Sequence, residues 1–120
     1  GEPGPLVPTH LDRGALELVR RALWAVVNDG GTAAGSRLEG IEFAGKTGTA
    51  QVVAQRTYTR SETLAEALRD HAWFAAYAPV GAPELVVVAF VEHGGHGSQA
   101  AAPLAKRLYE IHLARTIESG

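Results

Sequence analysis

The apolar positions of the chain form a helical pattern at each end and three strand-like runs between them. In residues 11–27, apolar side chains recur three or four positions apart, which predicts an amphipathic helix with one face on a core. Thr9 with Asp12 is a candidate cap for its start, and the Asn-Asp-Gly-Gly run at 28–31 predicts its end. The predicted core face consists of Leu11, Ala15, Leu18, Ala22 and Val26.

The middle of the chain contains three segments that are typical of strands. The first has a glycine-flanked centre at Lys46-Thr47, the second is rich in aromatic side chains and ends before Pro79, and the third is short and β-branched. The predicted strands cover residues 40–53, 72–78 and 85–91, joined by a polar loop at 54–70 with a short helix near 62–68, and by a hairpin at 80–83.

A second helix is predicted at the C-terminal end. Three glycines and two histidines at 93–97 break the third strand, and Ser98 is a candidate helix cap. Pro103 predicts that this helix starts late or bends in its first turns. Leu104, Leu108 and Ile111 form its predicted core face. The predicted order is helix, three antiparallel strands in a meander, helix, which is an α+β fold.

Composition indicates one small globular unit. The chain has 120 residues, of which 46% are hydrophobic and 20% charged. Residues 1–8 hold three prolines and two glycines and are interpreted as a lead-in or linker, residues 9–117 as the folded unit, and 118–120 as a tail. A chain of this size buries a limited share of its surface, so we expect a thin stability margin.

Charge and cysteine content exclude several classes of partner and cofactor. The net charge is −2 with scattered lysines and arginines, so no nucleic acid partner is expected. The absence of cysteine excludes disulfides, thiol nucleophiles and cysteine-ligated zinc. His93 and His96 lack a convergent third ligand, so we expect a turn with solvated imidazoles, and no metal or cofactor. The longest apolar run is too short to span a bilayer, so an export signal or anchor is expected outside this chain.

The segment 45–51, Gly-Lys-Thr-Gly-Thr-Ala-Gln, satisfies two motifs that predict different proteins. Read from Gly40, it matches the phosphate-binding loop G-x-x-x-x-G-K-[ST], which needs a buried strand before the glycines and a helix starting at the lysine. Residues 35–39 do not form a buried strand pattern, and Gly48 with the valines at 52–53 is a poor helix start. The context therefore disfavours an NTP-binding protein.

The second motif is K-T-G on a strand, one of three motifs of penicillin-binding proteins and class A β-lactamases. Strand alternation places Lys46 and Thr47 on opposite faces, so a site that uses both side chains must lie along the strand edge. Gly48 has no Cβ, so an extended peptide can approach that edge and add as a strand. The alternative is a plain edge strand on which Lys46 discourages aggregation.

Four segments, in order along the chain, carry a wider resemblance. Over roughly residues 20–110 the chain resembles class B penicillin-binding proteins, and among them the elongation-type penicillin-binding protein 2 group. The segments are Asp-Gly-Gly-Thr-Ala at 29–33, Ala-Gly-Lys-Thr-Gly-Thr-Ala-Gln-Val at 44–52, Asp-His-Ala-Trp-Phe at 70–74 with Ala-Pro at 78–79, and Val-Glu-His-Gly-Gly-His-Gly at 91–97.

The resemblance implies part of a serine β-lactamase-like transpeptidase fold and a role in D,D-transpeptidation of peptidoglycan, in cell-wall synthesis and cell shape. Lys46 would stand between the family's S-x-N serine and the carboxylate of the substrate. The hydroxyls of Thr47 and Thr49 would bind that carboxylate, and the Thr49 backbone N–H would form half of the oxyanion hole. The implied substrate-binding set is Thr47, Gly48, Thr49 and Gln51, with Lys46 and Thr49 as the catalytic pair.

The resemblance also implies partners and a location. The ligands would be the D-Ala-D-Ala stem peptide and β-lactams, and the parent protein would contact membrane proteins of the elongation machinery. The location would be periplasmic or extracytoplasmic, at the bacterial inner membrane, anchored through a segment outside this chain.

The catalytic serine motif of the family is absent from the sequence. None of the four serines is followed by lysine three positions on, and no S-x-N occurs. We therefore expect a C-terminal part of the domain that is inactive alone and requires the missing N-terminal part. A non-catalytic scaffold or peptide-binding module is the alternative function. An interrupted sheet further predicts dimerisation, strand exchange or low stability.

Overall fold

A computed structural model describes residues 4, 5, 7–52 and 68–119. Over this part of the chain, two helices flank one three-stranded antiparallel sheet, as predicted. Most of the predicted helix near 62–68 lies outside the described residues. The elements are α1 (Arg13–Asn28), a 3-10 helix (Ala34–Ser36), β1 (Ala44–Ala50), β2 (His71–Ala78), β3 (Leu85–Val91) and α2 (Gly97–Ser119).

The predicted end of α1 is confirmed, whereas at its start only Asp12 of the predicted pair Thr9 and Asp12 is the cap, and the helix begins at Arg13. The Asp12 carboxylate accepts a hydrogen bond of 2.7 Å from the Ala15 N–H, which satisfies one of the free donors of the first turn. At the other end, the Asp29 N–H donates to the Ala25 carbonyl, and Gly30 takes a φ of +68°. That left-handed conformation suits glycine and turns the chain away from the helix axis.

The predicted core face of α1 is wrong for most of its length. Leu11 precedes the helix and is 63% exposed, and Leu18 is 70% exposed. Only the end of α1, from Leu23 onward, is half-buried or buried, and there Val27 is 1% exposed. The periodicity correctly predicts a helix, but burial also requires a partner. Among the described elements, α1 packs mainly against β1, and the buried residues of α1 lie near the C-terminal end of the helix.

The sheet has one covered and one open face. The strand order is β1-β2-β3, with Phe74 opposite both Thr47 and Ala89. Alternate residues of β2 and β3 are buried on the face that α1 and α2 cover. The opposite face exposes large apolar side chains of β2 and β3, namely Trp73, Val86, Val88 and Phe90.

β1 is shorter than predicted because the residues before it do not pair. Gly40 takes a φ of +87°, which interrupts an extended strand, and pairing begins at Ala44. The predicted hairpin between β2 and β3 is confirmed. It is closed by a hydrogen bond of 2.9 Å from the Glu84 N–H to the Ala78 carbonyl.

An aromatic cluster joins α2 to the covered face of the sheet. Phe43 packs edge-on against Phe74 at a ring-centroid distance of 6.3 Å and lies 5.1 Å from the Tyr109 ring. All three side chains are fully buried. Around them, the close approach of α2 is made by alanines at 101, 102 and 105. Small side chains let the helix backbone lie near the strands, and the rings fill the remaining space.

The predicted core face of α2 is therefore wrong. Leu104, Leu108 and Ile111 are exposed by about two-fifths to a half, and the buried stripe is the one that holds Ala105 and Tyr109. Two stripes with similar spacing lie side by side on this helix, and only the one with small residues fits the short distance to the sheet.

The start of α2 also differs from the prediction. The helix begins at Gly97, so Ser98 lies within its first turn and is not the cap. Pro103 is accommodated inside the helix and does not delay its start. The first residue of the helix, Gly97, packs against the sheet, as described below.

The buried hydroxyl of Tyr109 makes the stability of the folded chain depend on pH. Its hydroxyl is buried and makes no hydrogen bond of normal geometry within the described residues. Burial raises the pKa of Tyr109 to about 12, and the Val87 backbone only partly offsets this. Because the unfolded chain ionises near the ordinary pKa of about 10, the folded state binds more protons above that pH, and stability falls as the pH rises from there.

We expect Tyr109→Phe to be neutral or more stable by up to about 1 kcal/mol at pH 7, because it removes an unsatisfied buried hydroxyl. Urea denaturation at pH 7 and pH 11 measures both effects. The advantage of the Phe variant should widen at pH 11. A variant that is clearly less stable at pH 7 would contradict an unsatisfied hydroxyl.

Candidate functional site

β1 lies at one edge of the sheet and carries the K-T-G motif. It pairs with β2 in a register that sets Lys46 opposite Ala75 and Gly48 opposite Trp73. On its other side it pairs with no strand of the described residues. Lys46 is exposed and Gly48 is half-buried. The motif is thus on a strand whose free edge is open to a ligand.

Close packing around Gly45 fixes the position of the motif. A Cβ at Gly45 would lie 2.7 Å from the Ala75 carbonyl oxygen, from the Ala76 Cβ and from the Phe74 ring. All three belong to the adjoining strand, so a larger residue would push β1 away from β2. The glycine before Lys46 is therefore a packing requirement of this sheet.

The Lys46 side chain bends along the strand. Its Nζ donates to the Thr47 carbonyl oxygen at 2.9 Å and to the Thr47 Oγ1 at 3.2 Å. Alternation alone would separate these two side chains, but the long flexible lysine reaches around the unpaired edge. The structure thus brings an ammonium group and a hydroxyl group together at the edge.

Thr32 adds a second hydroxyl that the sequence analysis did not assign to the site. Its Oγ1 lies 3.1 Å from the Thr47 Oγ1, within hydrogen-bonding distance. Thr32 belongs to the segment 29–33, which carries the family resemblance, so a signal was present in the sequence. Neither the K-T-G motif nor its spacing names this residue.

The turn after α1 holds Thr32 in place. Gly31 donates its N–H to the Ala25 carbonyl at 3.2 Å, and a Cβ at Gly31 would overlap the Val26 Cα. The Asn28 amide donates to the Phe43 carbonyl at 3.0 Å, just before β1 begins. The helix end and the strand start are therefore tied together, which sets Thr32 beside Thr47.

The remaining predicted site residues lie farther along the same strand. Thr49 is exposed, and Gln51 follows the last residue of β1 and is also exposed. Gly48 is packed by Gly97, because a Cβ on Gly97 would lie 2.8 Å from the Gly48 carbonyl oxygen and 3.2 Å from its nitrogen. The start of α2 thus supports the backbone one residue before Thr49.

Of the two histidines after β3, His93 differs from the prediction. His93 is half-buried and its Nδ1 lies 3.1 Å from the Arg69 carbonyl oxygen, so it is not a solvated imidazole. Its backbone N–H donates to the His71 Nδ1 at 2.9 Å. His96 is exposed. In residues 4, 5, 7–52 and 68–119, no group of three His, Asp or Glu side chains is placed to hold a metal ion.

The phosphate-loop alternative does not fit the structure. Lys46 is the third residue of β1, whereas that motif requires the lysine to open a helix. Residues 34–36 form a 3-10 turn in place of a preceding buried strand. The fold therefore agrees with the sequence around the motif in disfavouring nucleotide binding.

The family model described as the penicillin binding protein transpeptidase domain matches residues 2–110. The chain belongs to the penicillin-binding protein transpeptidase family. Two relatives are named "Peptidoglycan D,D-transpeptidase MrdA". The one from Haemophilus influenzae is 39% identical over 103 residues, which cover 82% of this chain and 16% of the relative. The one from Acinetobacter baumannii is 38% identical over 97 residues, which cover 79% and 14%.

Solved transpeptidase structures share the fold of this chain. Penicillin-binding protein 2 of Pseudomonas aeruginosa, in complex with WCK 5153, has a TM-score of 0.72 and 32% identity over 94% of this chain and 23% of that structure. Penicillin-binding protein 2 of Helicobacter pylori, in a complex with MreC, has a TM-score of 0.67 and 34% identity over 84% and 19%. The predicted family, its penicillin-binding protein 2 group and the α+β transpeptidase fold are confirmed.

The chain is equivalent to part of a transpeptidase domain. It spans only 14–16% of the length of the two MrdA relatives. The prediction of a partial domain is consistent with this coverage. The activity, substrate and partners of a whole transpeptidase are therefore proposals for this chain.

Proposed function

We propose that β1 binds the carboxylate of a D-Ala-D-Ala stem peptide, or of a β-lactam, within a peptidoglycan D,D-transpeptidase. The observation that carries the proposal is the cluster at the free edge of β1: the Lys46 ammonium, the Thr47 hydroxyl and the Thr32 hydroxyl. One cation with two hydroxyl donors suits a carboxylate, which accepts several hydrogen bonds.

The charge at this edge is available to an anion. Within the described part of the chain, Lys46 forms no salt bridge, and its ammonium bonds to a neutral carbonyl and a hydroxyl. A carboxylate can replace the intrachain hydrogen bond to Thr47, because charge-assisted hydrogen bonds are stronger than neutral ones. The Thr47 hydroxyl accepts from Lys46 and keeps its own proton, which it can donate to the same anion.

The backbone of β1 would orient the substrate. An extended peptide can add to the unpaired edge through main-chain hydrogen bonds, with Gly48 leaving room for its approach. In this pose the Thr49 N–H would form half of an oxyanion hole, the hydroxyl of Thr49 would bind the carboxylate together with that of Thr47, and Gln51 would belong to the substrate-binding set. The other half of the oxyanion hole would belong to the nucleophile.

The nucleophile must come from another part of the domain. The sequence contains neither S-x-x-K nor S-x-N. In the assembled enzyme, Lys46 would assist proton transfer through the S-x-N serine while it holds the carboxylate. The separate S-x-x-K serine would attack the carbonyl carbon of the penultimate D-Ala, release the last D-Ala as the leaving amine, and pass the acyl group to the amine of a neighbouring stem peptide.

A partner and a location follow for the whole protein. Because a related penicillin-binding protein 2 is described in complex with MreC, we propose an elongation-machinery protein as partner of the parent protein. The reaction would take place outside the cytoplasmic membrane, with the anchor in a segment outside this chain. Among the described residues, no helix is both long and apolar enough for a membrane crossing.

The proposal can be tested with two proteins and one reagent, a fluorescent penicillin. The first protein is this chain, and intact-mass measurement should show no covalent adduct. The second is the Haemophilus influenzae relative in which this chain replaces the matching segment of 103 residues. The hybrid should form one adduct per molecule. An adduct on the isolated chain would contradict the missing nucleophile, and a folded hybrid without an adduct would contradict the proposed site.

A further inference from the structure

We propose that His71 is a positioning residue: as a neutral imidazole it holds the turn between β3 and α2, and through that turn it positions the backbone of β1 at Gly48. Acidification releases this hold by protonating the ring. The importance of Gly48, next to the Thr49 N–H, rests on the function proposed above.

Three hydrogen bonds fasten the turn to the segment that opens β2. The His93 N–H donates to the His71 Nδ1 at 2.9 Å, and the His93 Nδ1 lies 3.1 Å from the Arg69 carbonyl oxygen. The Gly95 N–H donates to the Asp70 carbonyl at 2.9 Å. Residues 69–71 therefore hold both the beginning and the middle of the turn.

The end of the turn rests on β1. The turn passes into α2 at Gly97, whose backbone is packed against the Gly48 nitrogen and carbonyl oxygen and against the Trp73 carbonyl. There is no room for a Cβ at this point. A displacement of the turn must therefore be accommodated by Gly48 or by the pairing of Gly48 with Trp73.

Residue 70 supplies a second link to the same strand. The buried Asp70 carboxylate accepts a hydrogen bond of 3.4 Å from the Val52 N–H, just beyond the end of β1. The segment 69–71 thus holds the chain just after β1 through this carboxylate and contacts Gly48 of β1 indirectly through the turn. Both links act close to the proposed oxyanion donor.

The hydrogen-bond directions show which of the two histidine rings would lose its contact on protonation. Its Nδ1 accepts from a backbone N–H, so that nitrogen must be unprotonated. The His93 Nδ1 faces a carbonyl oxygen, which can only accept, so this ring keeps its donor in both charge states. Protonation therefore breaks the contact of His71 and leaves that of His93 in place.

Two rings lie next to the His71 ring. The His93 ring lies 4.7 Å from it and the Phe90 ring 5.3 Å, both centroid distances. In the described part of the chain, the other charged or titratable residues of the adjoining segments are Arg69, Asp70, Glu92 and His96, and the facing residue of β1 is Ala50. Histidine is the side chain that ordinarily changes charge between pH 5 and 8, so the test covers that range.

The test is nuclear magnetic resonance and amide hydrogen exchange on the 120-residue chain between pH 7.5 and 5.5. We expect the His93 amide to exchange about tenfold faster at pH 5.5, after correction for intrinsic rates, because one hydrogen bond is lost. The amide signals of Gly48 and Gly97 should shift with the same midpoint as the His71 ring. If these signals stay fixed while the ring titrates, the proposal is wrong.

Two substitutions at one position separate the acceptor from the ring. His71→Asn places an amide oxygen near the Nδ1 position and does not titrate, so the pH response should disappear while the His93 amide stays protected. His71→Phe keeps the ring and removes the acceptor, so the His93 amide should already exchange fast at pH 7.5. His10→Asn, at an exposed position before α1, is the control and should respond as the wild type does.

The His71→Asn variant tests the role of the His71 ring even if the His71→Phe variant fails to fold. A wild-type pH response in His71→Asn would overturn the proposal. No ligand is present in these measurements, so they are independent of acylation in the hybrid. If the His71 variants behave as expected but the hybrid forms no adduct, only the proposed function is rejected. If the hybrid forms an adduct but the His71 variants do not behave as expected, only the positioning role is rejected.

Discussion

Replacing Lys46 by methionine in the hybrid transpeptidase is expected to slow acylation by a fluorescent penicillin about 100-fold. Methionine keeps an unbranched chain but removes the charge. A group that stabilises developing or bound negative charge in an active site typically contributes this much. The Lys46 ammonium also holds the Thr47 side chain at the free edge of β1, through its hydrogen bond to the Thr47 hydroxyl. The measurement is the second-order rate of adduct formation, followed by gel fluorescence.

The chain offers a matched control, because it has only one other lysine. Lys106 lies on α2 and is half-buried, away from the K-T-G strand. Lys106→Met should acylate within about twofold of the parent hybrid, because Lys106 lies outside the proposed site. Circular dichroism and thermal unfolding should match in the three proteins. Equal rates for the two variants would remove Lys46 from the proposed site.

Replacing Phe43 by alanine is expected to destabilise the chain by about 3–5 kcal/mol, the usual cost of removing a buried aromatic side chain. Phe43 is fully buried and contacts the rings of both Phe74 and Tyr109, so its loss leaves a cavity between β1 and α2. Because a small domain has little stability to lose, this variant should be largely unfolded at 37 °C. Urea denaturation followed by tryptophan fluorescence gives the free energy of unfolding.

Two further variants show whether burial causes the loss. Phe43→Leu refills most of the volume and should cost less than about 1.5 kcal/mol. Phe90→Ala removes the same side chain from the open face of the sheet, where it is 42% exposed, and should cost clearly less than Phe43→Ala. If Phe90→Ala lowers the free energy of unfolding as much as Phe43→Ala does, the open face of the sheet is covered in solution.

The sequence predicted the elements well because their signals are local. The strand pairs, the hairpin and the end of α1 follow from side-chain periodicity and from residues with special backbone preferences, such as Gly30. The buried face of each helix could not be predicted in the same way. Leu18 and Leu104 fit helical stripes, yet burial depends on which stripe meets another element and at what distance.

The K-T-G segment followed from the sequence alone, and so did the expectation that its chemistry lies at a strand edge. A period of two places Lys46 and Thr47 on opposite faces, and an edge is the position where both can act. The order of motifs along the chain was also sufficient to predict the family. These conclusions needed only local spacing and residue chemistry.

Only the tertiary structure decided which other residues surround that edge. Thr32 reaches Thr47 because the end of α1 is tied to the start of β1. Gly97 reaches Gly48 because the turn after β3 is fastened to residues 69–71. Both contacts join segments that are 15 or more positions apart. Such contacts depend on how helices and strands pack against one another. The shapes and distances involved cannot be read from a local pattern of residues.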